Sequence, residues 1–193
     1  MDDIVKQAMA KWPNVPHCYG WLGLDARGDW YMRDDRTQAL GGFASGVPGA
    51  KGSRLQHAKL IDFIQRNYAA DANGQWYFQN GPQRVYVELE STPWVWRVAS
   101  DFQMAAHDGT PVQCQQCWTD EHGWLYGQTS LGFGLVHTQD VANAADAIEQ
   151  GLWTVQDALR VELPGRYGFV VSPQALQASK ETVTKQSATQ ERS

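Results

Sequence analysis

No run of the chain approaches the roughly 18 consecutive apolar residues of a membrane-spanning helix, so no membrane span is expected. The opening residues, Met1 to Lys6, lack the basic and apolar regions of a secretory leader. Cysteine is scarce. There are three, an odd number, which without a leader points to free thiols in a reducing compartment, the cytoplasm. Positive charge is in deficit, with 16 Lys and Arg against 21 Asp and Glu and a formal net charge of −5. That argues against a general nucleic-acid binder, which needs a cationic stripe to displace counterions. The G-x-S-x-G, H-E-x-x-H, Walker A and Rossmann signatures are also missing. No catalytic residue and no cofactor is therefore nominated, and whether the protein is an enzyme stays open.

What the chain has in excess is aromatic: nine Trp, seven Tyr and six Phe. Such side chains favour strands, cores and interfaces. The rest of the chain is organised around one aromatic stretch, residues 74–99. Asn80-Gly81 is a strong hairpin signal because both residues tolerate positive φ, and Pro82 postpones the second strand to Gln83. From Arg84 the period is two. Val85, Val87 and Leu89 form a core face, while Arg84, Tyr86, Glu88 and Glu90 point the other way. Thr92-Pro93 breaks the run. A third strand then sets Trp94, Trp96 and Val98 on one side and Val95, Arg97 and Ala99 on the other. The polar face admits two readings. One is a solvated face with cross-strand charge pairs; the other is a ligand or partner platform, with indoles as walls and Arg84 or Arg97 as anion holder.

Before this stretch, residues 2–11 read as a short helix stopped by Pro13. Tyr19–Asp25 and Asp29–Arg33 read as two strands around a turn, and the Gly-rich residues 34–52 as a loop expected to be disordered. Ser53 stands three residues before Gln56, a capping-box pattern, and apolar residues follow at helical spacing, predicting the main helix over about 53–68. After the central stretch, Phe102–Ala106, Val112–Trp118 and Trp124–Thr129 read as an antiparallel meander. Leu131–His137 is an apolar strand, and Asp140 can cap a smaller helix over about 140–150 that Gly151 closes. Leu152–Leu163 fits either a strand with a helical turn or one helix, and Gly168–Ser172 reads as a last strand. Residues 174–193 are a polar tail, read as at most a marginal helix and then disorder.

Two features carry chemistry. Cys114-Gln115-Gln116-Cys117 is a C-x-x-C, but structural zinc needs four ligands, and only His107, His122 and the distant His17-Cys18 are available. A redox pair belongs between a strand and a helix start, whereas within a strand positions i and i+3 face opposite sides. Two plain strand thiols are the leading reading, and no metal site is assigned. His137 precedes a helix start, where it can serve as base or ligand or simply as a hydrogen-bonded loop residue.

Residues 74–90, together with Thr92–Arg97 and Gly132–His137, resemble a family of small uncharacterised bacterial proteins, mostly proteobacterial, that form a domain of unknown function. The likeness runs from about Val15 to Pro173 and leaves out the tail. More distantly, the order of a G-x-W-Y strand, a turn and a V-x-V-E strand is similar to a second bacterial family of unknown function. The resemblance implies a soluble α+β protein and supplies no catalytic residues.

The expected fold is α+β with mostly antiparallel sheets, as one unit over residues 15–173 or as two packed subdomains, 15–90 and 91–173. The leading function is a non-enzymatic binding or adaptor module using the aromatic and charged sheet face. Its ligand-contact candidates are Arg84, Tyr86, Glu88, Trp94, Trp96, Arg97 and His137. That reading requires a shallow exposed patch. The alternative is a small-molecule binder or enzyme with a pocket near His137, Arg84 and Glu88. A second alternative is a zinc-stabilised domain through Cys114 and Cys117. The partner is an unidentified protein or small molecule, and an aromatic face also suits a homodimer.

Overall fold

The computed structural model describes residues 1–190, with side chains through Thr182. The first half contains α1 (Asp3–Lys11), β1 (Cys18–Leu24), β2 (Trp30–Met32), α2 (Asp35–Leu40), β3 (Ser53–Arg54), α3 (Ala58–Arg66), β4 (Tyr68–Ala70), β5 (Trp76–Asn80) and β6 (Gln83–Leu89). The second contains β7 (Trp94–Val98), β8 (Met104–Ala106), β9 (Pro111–Val112), β10 (Gln116–Thr119), β11 (Leu125–Thr129), β12 (Gly132–Val136), α4 (Val141–Glu149), β13 (Val155–Asp157), α5 (Leu163–Tyr167) and α6 (Pro173–Gln190).

The fold is α+β. One six-stranded sheet has the order β3-β2-β1-β6-β5-β4, and one seven-stranded sheet has the order β13-β10-β11-β12-β7-β8-β9. Most neighbours are antiparallel, but β1–β6, β7–β12 and β10–β13 are parallel. The meander anticipated after the central stretch is therefore divided. β8 and β9 extend β7 on one side, and β10 and β11 extend β12 on the other.

At the β5–β6 hairpin Asn80 pairs with Gln83, so the two-residue turn is Gly81-Pro82. Gly81 takes φ 57°, and the proline ring holds the next φ negative. Gly at the first central position is the II′ arrangement, which matches strand twist as well as an Asn-Gly turn would. The second strand starts at Gln83, where the missing proline N–H places it.

Between the sheets lies one core. Leu22, Leu24, Trp30, Phe78, Val87 and Leu89 of the first sheet meet Trp118, Tyr126, Phe133 and Leu135 of the second, with Ile64 of α3 and Leu163 and Phe169 closing it. The opposite face of the second sheet carries another cluster, with Trp94, Trp96, Val98, Met104, Cys117, Leu125 and Val136 packed against Ala144 of α4. Alternation along β12 decides the partition: Phe133 and Leu135 face one core, Val136 the other.

Several elements differ from the sequence reading. The main helix begins at Ala58, because the preceding Ser53 and Arg54 pair with Met32 and Tyr31 on β2. Its N-cap is His57, whose Nδ1 accepts from the Leu60 N–H at 3.2 Å, rather than Ser53. Residues 34–52 are ordered, not a disordered loop: α2 occupies the first part, and Phe43 and Ala50 are 2 % and 1 % exposed. Their anchor is Arg33, fully buried, which donates to the carbonyls of Ala50 and Gly41 at 2.8 and 2.5 Å. Asp140 does not cap α4 with its side chain, which instead holds Arg97 and the Val98 N–H. Residues 168–172 are not a ladder strand, though Val170 donates to the Gly74 carbonyl and the Val171 carbonyl accepts from the Leu89 N–H. The polar tail starts as a helix. Pro173 takes its first turn and the Ser172 hydroxyl accepts from the Ala175 N–H, satisfying the helix start. The remainder of that tail, residues 191–193, lies outside the described residues.

Candidate functional site

The seven ligand-contact candidates separate into three places, each already occupied. On β6, Tyr86 is 4 % exposed and stacks on Tyr19 at 4.6 Å, while its hydroxyl donates to Asp71 at 3.2 Å. Arg84 lies 4.5 Å over the Tyr77 ring. Glu88, 1 % exposed, accepts from the Ser172 hydroxyl at 2.5 Å and the Gln174 N–H at 2.9 Å, so it fastens the start of α6. Burial raises its pKa, and Ser172, Gln174 and Arg33 pull it back. Period two correctly separated this face from the core. What covers the face is contributed by residues 19 and 172–174, far away in sequence.

Trp94 and Trp96 do share one side of β7, stacked at 6.0 Å, but they are 8 % and 0 % exposed. The Trp96 indole N–H donates to the Gly127 carbonyl at 2.8 Å. Tyr86, Trp94 and Trp96 therefore form no open platform. A sheet face that alternation alone reads as outward is a second core when a helix lies on it.

The third place joins two of the candidates. Arg97 binds Asp140 through Nε at 2.5 Å and a second nitrogen at 3.2 Å. Asp140 is held below the usual carboxylate range; burial works against this, and Arg97 and the Val98 N–H outweigh it. His137, 5 % exposed, accepts from the Gln139 N–H at 3.1 Å, and burial followed by Arg97 lowers its pKa. Arg84 and Glu88 sit on the other sheet, engaged with Tyr77 and with Ser172 and Gln174 respectively. Among the described residues no group of three or more His, Cys, Asp or Glu converges as a metal site, so Cys114 and Cys117 lack the further ligands zinc requires.

An open concavity lies elsewhere. A cleft of about 890 Å³ runs along the end of the second sheet, between the β7–β8 turn, β9, the 113–115 segment and the start of the β13 connection. Phe102, Met104, Val112, Leu152 and Trp153 give it apolar surface; Gln103, Gln113 and Gln115 give it amides; Asp101 is its one charged lining residue. Trp96 and Cys117 belong to the cluster beneath, against which Val112, Cys114 and Trp153 pack. Phe102 holds φ 65°, unusual for a residue with a side chain, and Ala99 bonds both ways around it: its carbonyl accepts from Phe102, its N–H donates to Gln103. A backbone strained next to a concavity is a recurrent companion of binding sites. Sequence reading missed this cleft. Its one signal was the Gln spacing around Cys114, visible only as a polar strand until the two hairpins meet.

The family DUF2944, described as "Protein of unknown function (DUF2946)", matches residues 1–174. The chain belongs to this family. It is an uncharacterised one, as the resemblance implies. A comparison with curated proteins gives no match. Two solved bacterial structures are similar. A DUF1285 family protein from Shewanella baltica OS155 is 15 % identical, with a TM-score of 0.43, over 65 % of this chain and 91 % of that one. A DUF1285 family protein from Silicibacter pomeroyi DSS-3 is 12 % identical, with a TM-score of 0.46, over 76 % of this chain and 84 % of that one. Among the described residues no helix is long and apolar enough to cross a membrane.

Proposed function

We propose that this member of the family is a non-enzymatic binding module whose ligand lies in the cleft bounded by Phe102, Val112, Gln113, Gln115 and Trp153. The cleft itself carries the reading: apolar side chains edged by neutral amides, with a single carboxylate at Asp101. Amides both donate and accept, so they match the backbone of an extended peptide, while Phe102, Leu152 and Trp153 cover apolar side chains. The absence of any cation in the lining disfavours an anionic ligand. In this reading Trp94 and Trp96 back the cleft, and Arg97, Asp140 and His137 hold the strand end from which the β7–β8 turn departs. Arg84, Tyr86 and Glu88 secure the first sheet and α6. Three free cysteines support a cytoplasmic setting. With both indoles of β7 inside, that aromatic face supports no homodimer.

The test is a ligand-observed NMR screen of neutral tripeptides and small amides, followed by ¹H–¹⁵N spectra of the labelled protein. Hits should shift residues 101–104, 111–115 and 152–153 and lose at least about tenfold in affinity in Trp153→Ala. Hits that map to other residues and ignore Trp153→Ala, or a screen without any hit, would overturn the reading.

A further inference from the structure

Cys114 and Cys117 were read above as strand thiols on opposite faces; the structure places them together. β10 starts only at Gln116, after a bend at Gln115 whose N–H donates to the Gln128 carbonyl at 2.9 Å. Cys114 thus lies ahead of the strand and Cys117 within it. Cys117 pairs directly with Gly127 on β11, and directly opposed residues of an antiparallel pair point to the same face. A Cβ built on Gly127 would lie 3.7 Å from the Cys114 Sγ. The Cys114 sulfur and the Cys117 side chain therefore lie on one face of one sheet beside Gly127, next to the Trp96 indole that a Cβ there would meet at 3.3 Å.

The surroundings of the two thiols differ. Cys117 is 1 % exposed and packed in the cluster beneath the cleft. Cys114 is half-buried and lines both the main cleft and a neighbouring cavity of about 270 Å³ bounded by Trp153 and Gln156. Cys117 borders that smaller cavity too but not the main cleft, so Cys114 is the more accessible thiol and Cys117 the shielded one.

We propose that Cys114 and Cys117 form a reversible disulfide in the cleft wall, with Cys114 as the entering thiol and Cys117 as the resolving one. The co-reactant is a low-molecular-weight disulfide. The Cys114 thiolate attacks one sulfur of RSSR, making a mixed disulfide and releasing RS⁻. The Cys117 thiolate then attacks the Cys114 Sγ, closing the intramolecular disulfide and releasing the second RS⁻. The protein dithiol loses two electrons, RSSR gains them, and the two thiol protons finish on two RSH. The electrostatics agree with this order. Hydrogen bonding from the Cys117 side chain holds the Cys114 thiol below its usual range, and the same contact, with burial, pushes Cys117 up. No third ligand converges on the pair among the described residues, which favours a disulfide over a metal. Because Cys114 lines the cleft, closing the bond redraws that wall.

The experiment is incubation of the reduced full chain with oxidised glutathione, acid quenching, maleimide labelling and peptide mass spectrometry. The expected product is a loss of about 2 Da confined to the peptide holding Cys114 and Cys117, reversed by dithiothreitol, with Cys18 outside the bond. Cys117→Ala should halt at the glutathione adduct on Cys114. The oxidised wild type should shift amide signals of Gln113, Gln115 and Trp153. A lasting glutathione adduct on wild-type Cys114, a bond to Cys18, or both thiols still open to maleimide would overturn the proposal. The wild-type measurement decides without any variant having to fold.

Discussion

Acid should destabilise this protein through one imidazole. The ring of His107 lies among Trp30, Tyr68 and Trp94, at centroid distances of 6.0, 6.5 and 5.4 Å. Its Nδ1 accepts from the Val95 N–H at 3.3 Å, so the proton resides on Nε2, which is buried without a partner. Burial pushes the pKa from 6.5 down to about 4, against a small opposing pull from Asp108. Between those values the unfolded chain binds a proton that the folded one refuses. The contribution is therefore complete above about pH 6.5 and is lost as the pH falls toward 4. At about 1.4 kcal/mol per pKa unit, the loss is about 2 kcal/mol at pH 5 and about 3 kcal/mol at pH 4. Urea unfolding from pH 7.5 to 4.5 measures it, as the difference between wild type and His107→Asn, which keeps an acceptor near the Nδ1 position. The variant is less stable at pH 7 because it leaves space between the rings, but its stability should fall less steeply, by about 2 kcal/mol at pH 5. Parallel pH profiles for the two proteins would refute the reasoning.

Glu88 should act with the opposite sign: burial raises its pKa, so its contribution is present in acid and lost as the pH rises. Glu88→Gln should therefore gain stability relative to wild type between pH 4.5 and 7.5, and a flat or falling difference in urea midpoints would contradict this. Arg33→Met leaves the Ala50, Gly41 and Gly20 carbonyls unpaired and should cost about 3 kcal/mol. Trypsin cleavage after Lys51 should quicken with it; an unchanged rate would show that Arg33 is not the anchor. In Gly134→Ala the new Cβ would stand 2.5 Å from the Trp96 ring and 2.8 Å from the Trp94 Cβ, so the strand must shift. The expected loss is about 1–3 kcal/mol in guanidinium unfolding, and a wild-type midpoint would show that the paired indoles yield.

Much of the local architecture was legible in the chain. Asn80-Gly81 marks the hairpin, though its turn falls one residue on at Gly81-Pro82; Val87 and Leu89 find the core, and Trp94 and Trp96 share a face, because these follow from φ limits and the two-residue period of a strand. Helix α4 and its stop at Gly151 follow from residues next to one another in sequence. Placement of the other face of each strand needed tertiary structure. Tyr86 and Glu88 are polar and alternate outward, yet Tyr19 and Ser172 lie over them. Residues 34–52 have the composition of a flexible loop, and the guanidinium of Arg33, together with the segment's own backbone turns, supplies hydrogen bonds that order their carbonyls. Cys114 and Cys117 face apart in any regular strand, and a bend at Gln115 over a glycine of β11 brings them together. Sequence determined which residues turn, pair and avoid water, because those preferences are carried within a few bonds. Only the meeting of distant segments decided which polar groups were covered, which thiols became neighbours and where a cleft stayed open.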